Sequence, residues 1–283
     1  MSINWYPGHM AKARRLIEES LGSVDIVYEL IDARIPFSSQ NPDIASILSN
    51  KPSILIMTKS SLADPDVTAR WAEKFAAEGR TVIALDIITG EGMSKIKSET
   101  RRVLAEKLKR YAEKGMTGKR ISAMILGVPN VGKSSLLNKL SGTKKASVEN
   151  RPGVTRGKQW VSVGDWLDLL DMPGILWGKF GDRIVGENLA ITGAIKEDIL
   201  DCCEIAAVLC GRLRRDYPEM LCERYKIKEI PKDATDGELL ELIGRKRGFL
   251  VRGGEVDYER TANMLLDEFR ACKIGRISLE RPE

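Results

Sequence analysis

An apolar segment, Ser122 to Leu126, runs straight into Gly127-Val128-Pro129-Asn130-Val131-Gly132-Lys133-Ser134, and a helical pattern, Ser134 to Leu140, begins at once. Every fixed position of G-x-x-x-x-G-K-[ST] is filled. The pattern constrains the fold because a strand must deliver the loop and a helix must leave it. The loop's backbone N–H groups then wrap a phosphate, with the positive end of the helix dipole behind them. Lys133 is expected to reach the β and γ phosphates of a nucleoside triphosphate, and Ser134 to coordinate magnesium (Mg2+). Asn130, Val131, Gly132 and Ser135 complete the stretch expected to surround the nucleotide's phosphates. A chance glycine-rich turn would have no reason to sit between a strand and a helix.

Further strands are predicted at Asp25 to Ile31, Ser53 to Met57 and Thr81 to Leu85. A hairpin is predicted from Trp160–Val163 and Trp166–Leu170 around Gly164-Asp165. Helical patterns cover Ala11 to Val24, Thr68 to Glu78 and a long charged stretch, Met93 to Lys114. Strands alternating with helices predict an α/β fold with a mostly parallel sheet. Beyond Gly178 the pattern is mainly helical, near 182–201, 215–226, 235–245 and 258–272. One short apolar piece, Ile205 to Leu209, reads as a possible strand. The 283 residues suffice for a large domain and a smaller one. The expected division is an α/β domain at 1–178 and a helical domain at 179–283.

No apolar run has the length of a membrane span. The N-terminus lacks the charged start, apolar stretch and cleavage site of a signal peptide, so a soluble, cytoplasmic protein is expected. The five cysteines show no zinc-type spacing and read as reduced thiols. The net charge is +5, and basic residues gather at Lys107-Leu108-Lys109-Arg110, at Arg212 with Arg214-Arg215, and at Arg245-Lys246-Arg247. Such clusters suit a phosphate backbone or a solvated helix face, and composition does not decide between them.

Two further motifs follow the phosphate loop in order. Asp171-Met172-Pro173-Gly174 ends an apolar strand. Asp171 can hold magnesium through water, and the Gly174 N–H can sense the γ-phosphate. Between them lies Arg151-Pro152-Gly153-Val154-Thr155, where Thr155 suits both magnesium and the γ-phosphate. A guanine reader should be Asn-Lys-x-Asp at a strand end. Ile195-Lys196-Glu197-Asp198 has no strand before it. Thr58-Lys59-Ser60-Ser61 is better placed, with the Lys59 stem able to lie on the base. Thr58 there replaces Asn, Ser61 replaces the discriminating Asp, and Asp64 comes three residues late. Preference for GTP over ATP is therefore expected to be weaker than in a protein with the full motif, and Ser61→Asp is expected to strengthen GTP binding. This order puts base reading before phosphate reading, a circular permutation that leaves the sheet unchanged.

Together, Trp5-Tyr6-Pro7-Gly8-His9-Met10, Asp32-Ala33-Arg34-Ile35-Pro36, the Asn130-containing loop, Arg151–Thr155 and Asp171-Met172-Pro173-Gly174-Ile175 mark a resemblance. Over essentially its whole length the chain resembles the ribosome biogenesis GTPase A family, bacterial members of the circularly permuted GTPases. The resemblance implies a circularly permuted P-loop GTPase domain followed by a smaller α-helical domain. It implies hydrolysis of GTP to GDP and phosphate, stimulated by the large (50S) ribosomal subunit during late assembly. It also implies contact between the helical domain and ribosomal RNA. Ile87 departs from the small polar residue usual before Gly90-Glu91-Gly92.

Ras-like enzymes orient the attacking water with a Gln just after the D-x-x-G glycine, and Ile175 there cannot do so. His9 is the chain's one histidine. By its residues alone it reads as a helix-start residue or as a water-orienting base; the resemblance assigns it the catalytic role. Asn130 alone reads as a turn-stabilising residue; the resemblance makes it a ligand for potassium (K+). Arg34 reads as structural, and Arg156 as an RNA contact or a solvated residue. Two other functions remain open: a nucleotide-gated RNA-binding scaffold with little turnover, and a triphosphatase with relaxed GTP/ATP specificity.

Overall fold

The computed structural model describes residues 7–48, 50–142, 159–177, 182–195 and 201–283, with side chains from residue 12 onward. The described strands are β1 (Ile26–Asp32), β2 (Ser53–Thr58), β3 (Val82–Ala84), β4 (Ile121–Gly127), β5 (Gln159–Val163) and β6 (Leu167–Asp171). They form one sheet in the order β3-β2-β1-β4-β6-β5. All neighbours are parallel except β5 and β6, which pair antiparallel with Val161 opposite Leu169. Every residue of β1 is buried, as expected of a parallel strand covered on both faces. Alternate residues serve opposite faces. Ile26, Tyr28, Leu30, Ile54, Ile56 and Ile125 join the main core. On the other face, Val27, Met124, Leu126 and Leu170 pack with Ile17 of α1 (Pro7–Leu21). Leu55 and Met57 pack there with Trp71 and Phe75 of α3 (Pro65–Ala77).

Two local expectations differ from the structure, and one helix was not expected. A short helix, α2 (Pro42–Leu48), follows Asn41, whose side-chain oxygen accepts the Asp43 N–H at 2.9 Å; the Asn-Pro pair is its local signal. The charged stretch from Met93 is two helices, α4 (Lys95–Val103) and α5 (Ala105–Glu113), which meet at buried Leu104. Helical polarity continues across Leu104, so the periodicity did not mark the break. Ile205 to Leu209 is no strand. It lies inside α8 (Cys202–Asp216), whose cap is the Asp201 carboxylate accepting the Cys203 and Glu204 N–H groups. Ile205, Leu209 and Leu213 are buried at helical spacing, and a short apolar run cannot by itself separate the two periods.

After α6 (Lys133–Ser141) and the β5–β6 hairpin come α7 (Arg183–Ile191), α8, α9 (Pro218–Tyr225), α10 (Asp236–Arg247) and α11 (Tyr258–Arg270). Helix α8 is central and touches the other four. No described helix is long and apolar enough to cross a membrane. Three arginines of the basic clusters tie these helices together: Arg212 bonds Glu187 and Asn188, Arg214 pairs with Asp236 and Arg247 with Glu268. Arg245 is exposed and pairs with Glu241 of its own helix. Beyond α11 the chain returns to the sheet. The Ile277 N–H reaches Leu62 O at 3.1 Å, and the Leu279 N–H reaches Arg34 O at 2.8 Å. The Glu280 carboxylate accepts from the N–H groups of Phe37 and Ser38 and from Asn188 Nδ2.

Arg212 is 8% exposed. Arg212→Ala leaves Glu187 with Arg183 alone and takes the donor from buried Asn188 Oδ1, and should cost about 2 kcal/mol of stability, read as a lower urea midpoint.

Candidate nucleotide site

Strand β4 ends in the phosphate loop, whose shape needs unusual backbone angles. Gly127, Asn130 and Gly132 have φ of 151°, 57° and 108°. A Cβ on Gly127 would lie 2.6 Å from Leu30 O, so only glycine fits beside β1. Lys133 begins α6 and is buried, its ammonium donating to Gly127 O at 3.0 Å and Val128 O at 2.8 Å. Burial pulls its pKa down to about 8, although nearby Asp171 opposes the shift. Ser134 and Ser135 follow, half-buried in the first turn of α6.

The end of β6 lies across this loop. A Cβ on Gly174 would be 2.9 Å from Pro129 Cα and 3.1 Å from Lys133 Nζ. The Ile175 N–H donates to Gly127 O at 3.2 Å. Asp171 is buried, and burial raises its pKa against the pull of Lys133. Its Oδ1 is buried without a hydrogen-bond partner among the described residues. A bare carboxylate oxygen near the ammonium of Lys133, the first residue of α6, fits a hydrated magnesium ion. Ile175 is 6% exposed and packs with Ile17, Leu170 and Met172, so its side chain serves the core beneath α1.

The base side is built at the ends of β1, β2 and β3. Thr58 is fully buried, its hydroxyl between Ile31 O at 3.0 Å and Val131 O at 2.7 Å. It ties the two loops together from within and presents no group to a base. Lys59 has φ 58° and places its ammonium 2.9 Å from Asp32 Oδ2. Asp32 also accepts the Arg34 backbone N–H and two bonds from its guanidinium, which lies over the Phe269 ring. Burial works against ionised Asp32, but the Arg34 and Lys59 charges hold its carboxyl far below the usual carboxylate range. Asp64 is occupied elsewhere: it caps α3 and accepts from the Tyr217 hydroxyl. It does not stand in for a base-reading carboxylate.

Sequence reasoning missed two parts of this region. Asp86, just beyond β3, accepts the Ser61 hydroxyl at 2.5 Å. Arg276 donates to Ala63 O and Ser60 O, both at 3.0 Å, so the C-terminal segment braces the base loop. Neither partner has a local motif. Asn130 donates its Nδ2 to Gly193 O at 2.7 Å, joining the phosphate loop to the turn after α7. Thr155, Arg156 and Lys196-Glu197-Asp198 lie outside the described residues. His9 lies in α1, one turn ahead of Ala13, and its side chain is outside the described set.

Known proteins resemble this chain in sequence and in fold. A family model described as a 50S ribosome-binding GTPase matches residues 122–220. Ribosome biogenesis GTPase A of Priestia megaterium is 49% identical over 283 residues, covering 100% of this chain and 98% of its own length. The chain belongs to the ribosome biogenesis GTPase A family. The Thermotoga maritima member is 33% identical over 286 residues, covering 99% of this chain and 95% of its own. A GDP-bound structure of the protein YlqF matches with TM-score 0.64 and 30% identity, over 94% of this chain and 98% of that one. A GNP-bound YlqF structure from T. maritima matches with the same TM-score and identity, over 96% and 99%. As a ribosome biogenesis GTPase A family member, the chain is a circularly permuted P-loop GTPase, with its mostly parallel sheet followed by a helical region.

Lys133 carries its proton below about pH 8 and loses it above. Phosphate draws the protonated form, so bound nucleotide should hold that proton to higher pH. Nucleotide affinity should therefore weaken as pH rises from about 7 to about 9.5. Titration of a fluorescent GTP analogue across that range checks this; affinity unchanged throughout would contradict the lowered ammonium pKa.

Proposed function

We propose that this chain binds and hydrolyses GTP in the cytoplasm as an assembly factor acting late on the large ribosomal subunit. The observation that carries the nucleotide reading is the bare Asp171 oxygen beside Lys133, under the Gly174 turn. Lys133 releases its two backbone carbonyls to meet the β and γ phosphates. Ser134, Thr155 and Asp171 are the magnesium ligands, Asp171 through water. Bound magnesium supplies charge neutralisation on the phosphate oxygens. The Gly174 N–H meets the γ-phosphate, so the turn answers to the nucleotide state.

Turnover needs a partner for the attacking water, since the Ile175 side chain is in the core. We assign that role to His9. Helix α1 packs through Ala13 and Leu16 on the same cluster as Ile175, which links the His9 segment mechanically to the D-x-P-G turn. Asn130 is the proposed potassium ligand, through its amide oxygen. The helical domain, 179–283, is the proposed contact with ribosomal RNA, and phosphate-backbone binding there should be salt-dependent.

The deciding experiment is phosphate release from GTP with and without large subunits. A marked rise on adding particles supports the assembly-factor reading. Particles that bind only the GTP form without raising turnover would support the scaffold reading instead. Lys133→Ala should abolish nucleotide binding while leaving the nucleotide-free chain folded. His9→Ala should keep nucleotide and particle binding but lose about 10²–10⁴-fold of the stimulated rate. Normal stimulated turnover in that variant would return His9 to a helix-start role.

A further inference from the structure

Ser61 occupies the position where the guanine-reading motif carries its carboxylate, and a carboxylate stands directly behind it. We propose that Ser61 and Asp86 form one guanine-reading unit, in which Asp86 takes the hydroxyl proton of Ser61 and leaves its oxygen to accept from the guanine N1–H and N2–H groups. The proposal rests on the GTPase reading above and names the residues that give it base selectivity.

The placement comes from the sheet. The loops after β2 and β3 are joined by the Ser60 N–H to Leu85 O at 3.3 Å and the Leu85 N–H to Met57 O at 2.9 Å. Both loops border the phosphate loop. Thr58 bonds Val131 O, and a Cβ on Gly132 would lie 3.1 Å from Ile87 Cδ1. A nucleotide with its phosphates on residues 127–134 therefore has its base facing residues 59–61 and 86–89. This is the strand-end crevice where open α/β sheets take their ligands. Ser61 is half-buried at this surface, whereas Asp86 is 2% exposed behind it.

The chemistry follows from proton counting. Asp86 Oδ1 accepts the N–H groups of Ile88 and Thr89, both at 2.8 Å, which fixes the carboxylate plane. Burial alone would raise its pKa, but the Ser61 hydroxyl and these N–H groups hold it below the ordinary value. An ionised carboxylate accepts only, so Ser61 must donate its single proton to Oδ2. Toward a ligand, Ser61 is then an acceptor. Guanine presents donors at that edge and is satisfied. Adenine presents an acceptor at N1, which would face the oxygen with no proton between them. An unanchored serine could turn to suit either base. With Asp86 behind it, the hydroxyl acquires the acceptor character of the carboxylate it replaces.

This changes the expectation for Ser61→Asp. A second carboxylate at hydrogen-bond distance from Asp86 sets like charges together, so S61D should weaken GTP binding. The exchange S61D/D86S should restore it. Asp86→Asn keeps the shape; its amide oxygen can accept from Ile88 and Thr89 while its Nδ2 donates to Ser61, which reverses the hydroxyl.

The test is competition of GTP and ATP against one fluorescent nucleotide, for wild type, D86N, S61A, S61D and S61D/D86S. Wild type should prefer GTP; no preference would defeat the GTPase reading itself. Given that preference, D86N and S61A should each lower the GTP-to-ATP affinity ratio by about tenfold or more. An unchanged ratio in both would overturn the Ser61–Asp86 unit alone. Equal weakening of GTP and ATP would also overturn it, because the pair would then only support the loop.

Discussion

The Thr58 hydroxyl, set between the carbonyls of Ile31 and Val131, joins the two loops on which the site depends. Thr58 and Val131 are 73 residues apart in sequence. In a permuted chain no short connection keeps base reading beside phosphate reading, so the sheet must do it. Strand β1 lies between β2 and β4, and its parallel registers bring Thr58 level with Asp32 and Leu30 level with Gly127. The glycine angles at 127 and 132 then let the backbone approach closely enough for Thr58 to reach Val131 and for Ile87 to lie against Gly132. The hydroxyl has one proton to place between the two carbonyls, and removing it leaves buried polar groups without a donor away from water.

The base loop has a second support, from the far end of the chain. Arg276 holds the carbonyls of Ser60 and Ala63, the Ile277 N–H holds Leu62 O, and the Tyr217 hydroxyl meets Asp64. Phe269 of α11 lies under Arg34, which holds Asp32 and, through it, Lys59. The helical region is therefore built into the base side of the site. On the phosphate side, Asn130 reaches Gly193 just beyond α7. Both loops thus lean on the helices that follow the sheet.

The phosphate loop and the D-x-P-G turn were legible because each is local: fixed spacing, an apolar strand before, a helix or turn after. The alternation of strands and helices likewise gave the mostly parallel sheet. Ile205 to Leu209 misled because five apolar residues fit either period, and only the cap at Asp201 and the burial of Leu213 settle it as helix. The basic residues of the helical region were visible, but their acidic partners Glu187, Asp236 and Glu268 become neighbours only after folding. Asp86 and Arg276 were illegible for the same reason. Nothing within a few residues of Ser61 indicates that a carboxylate is packed behind it.

Nucleotide binding at this site depends on what Lys133 and Asp171 meet when nucleotide arrives. A crystal structure of the chain with a non-hydrolysable GTP analogue and magnesium measures this directly. The expected result has Lys133 Nζ off Gly127 O and Val128 O and on the β and γ phosphate oxygens, with Asp171 Oδ1 bonded to a magnesium-bound water. A nucleotide seated elsewhere, or one bound here while Lys133 keeps its carbonyls and Asp171 Oδ1 stays bare, would contradict it.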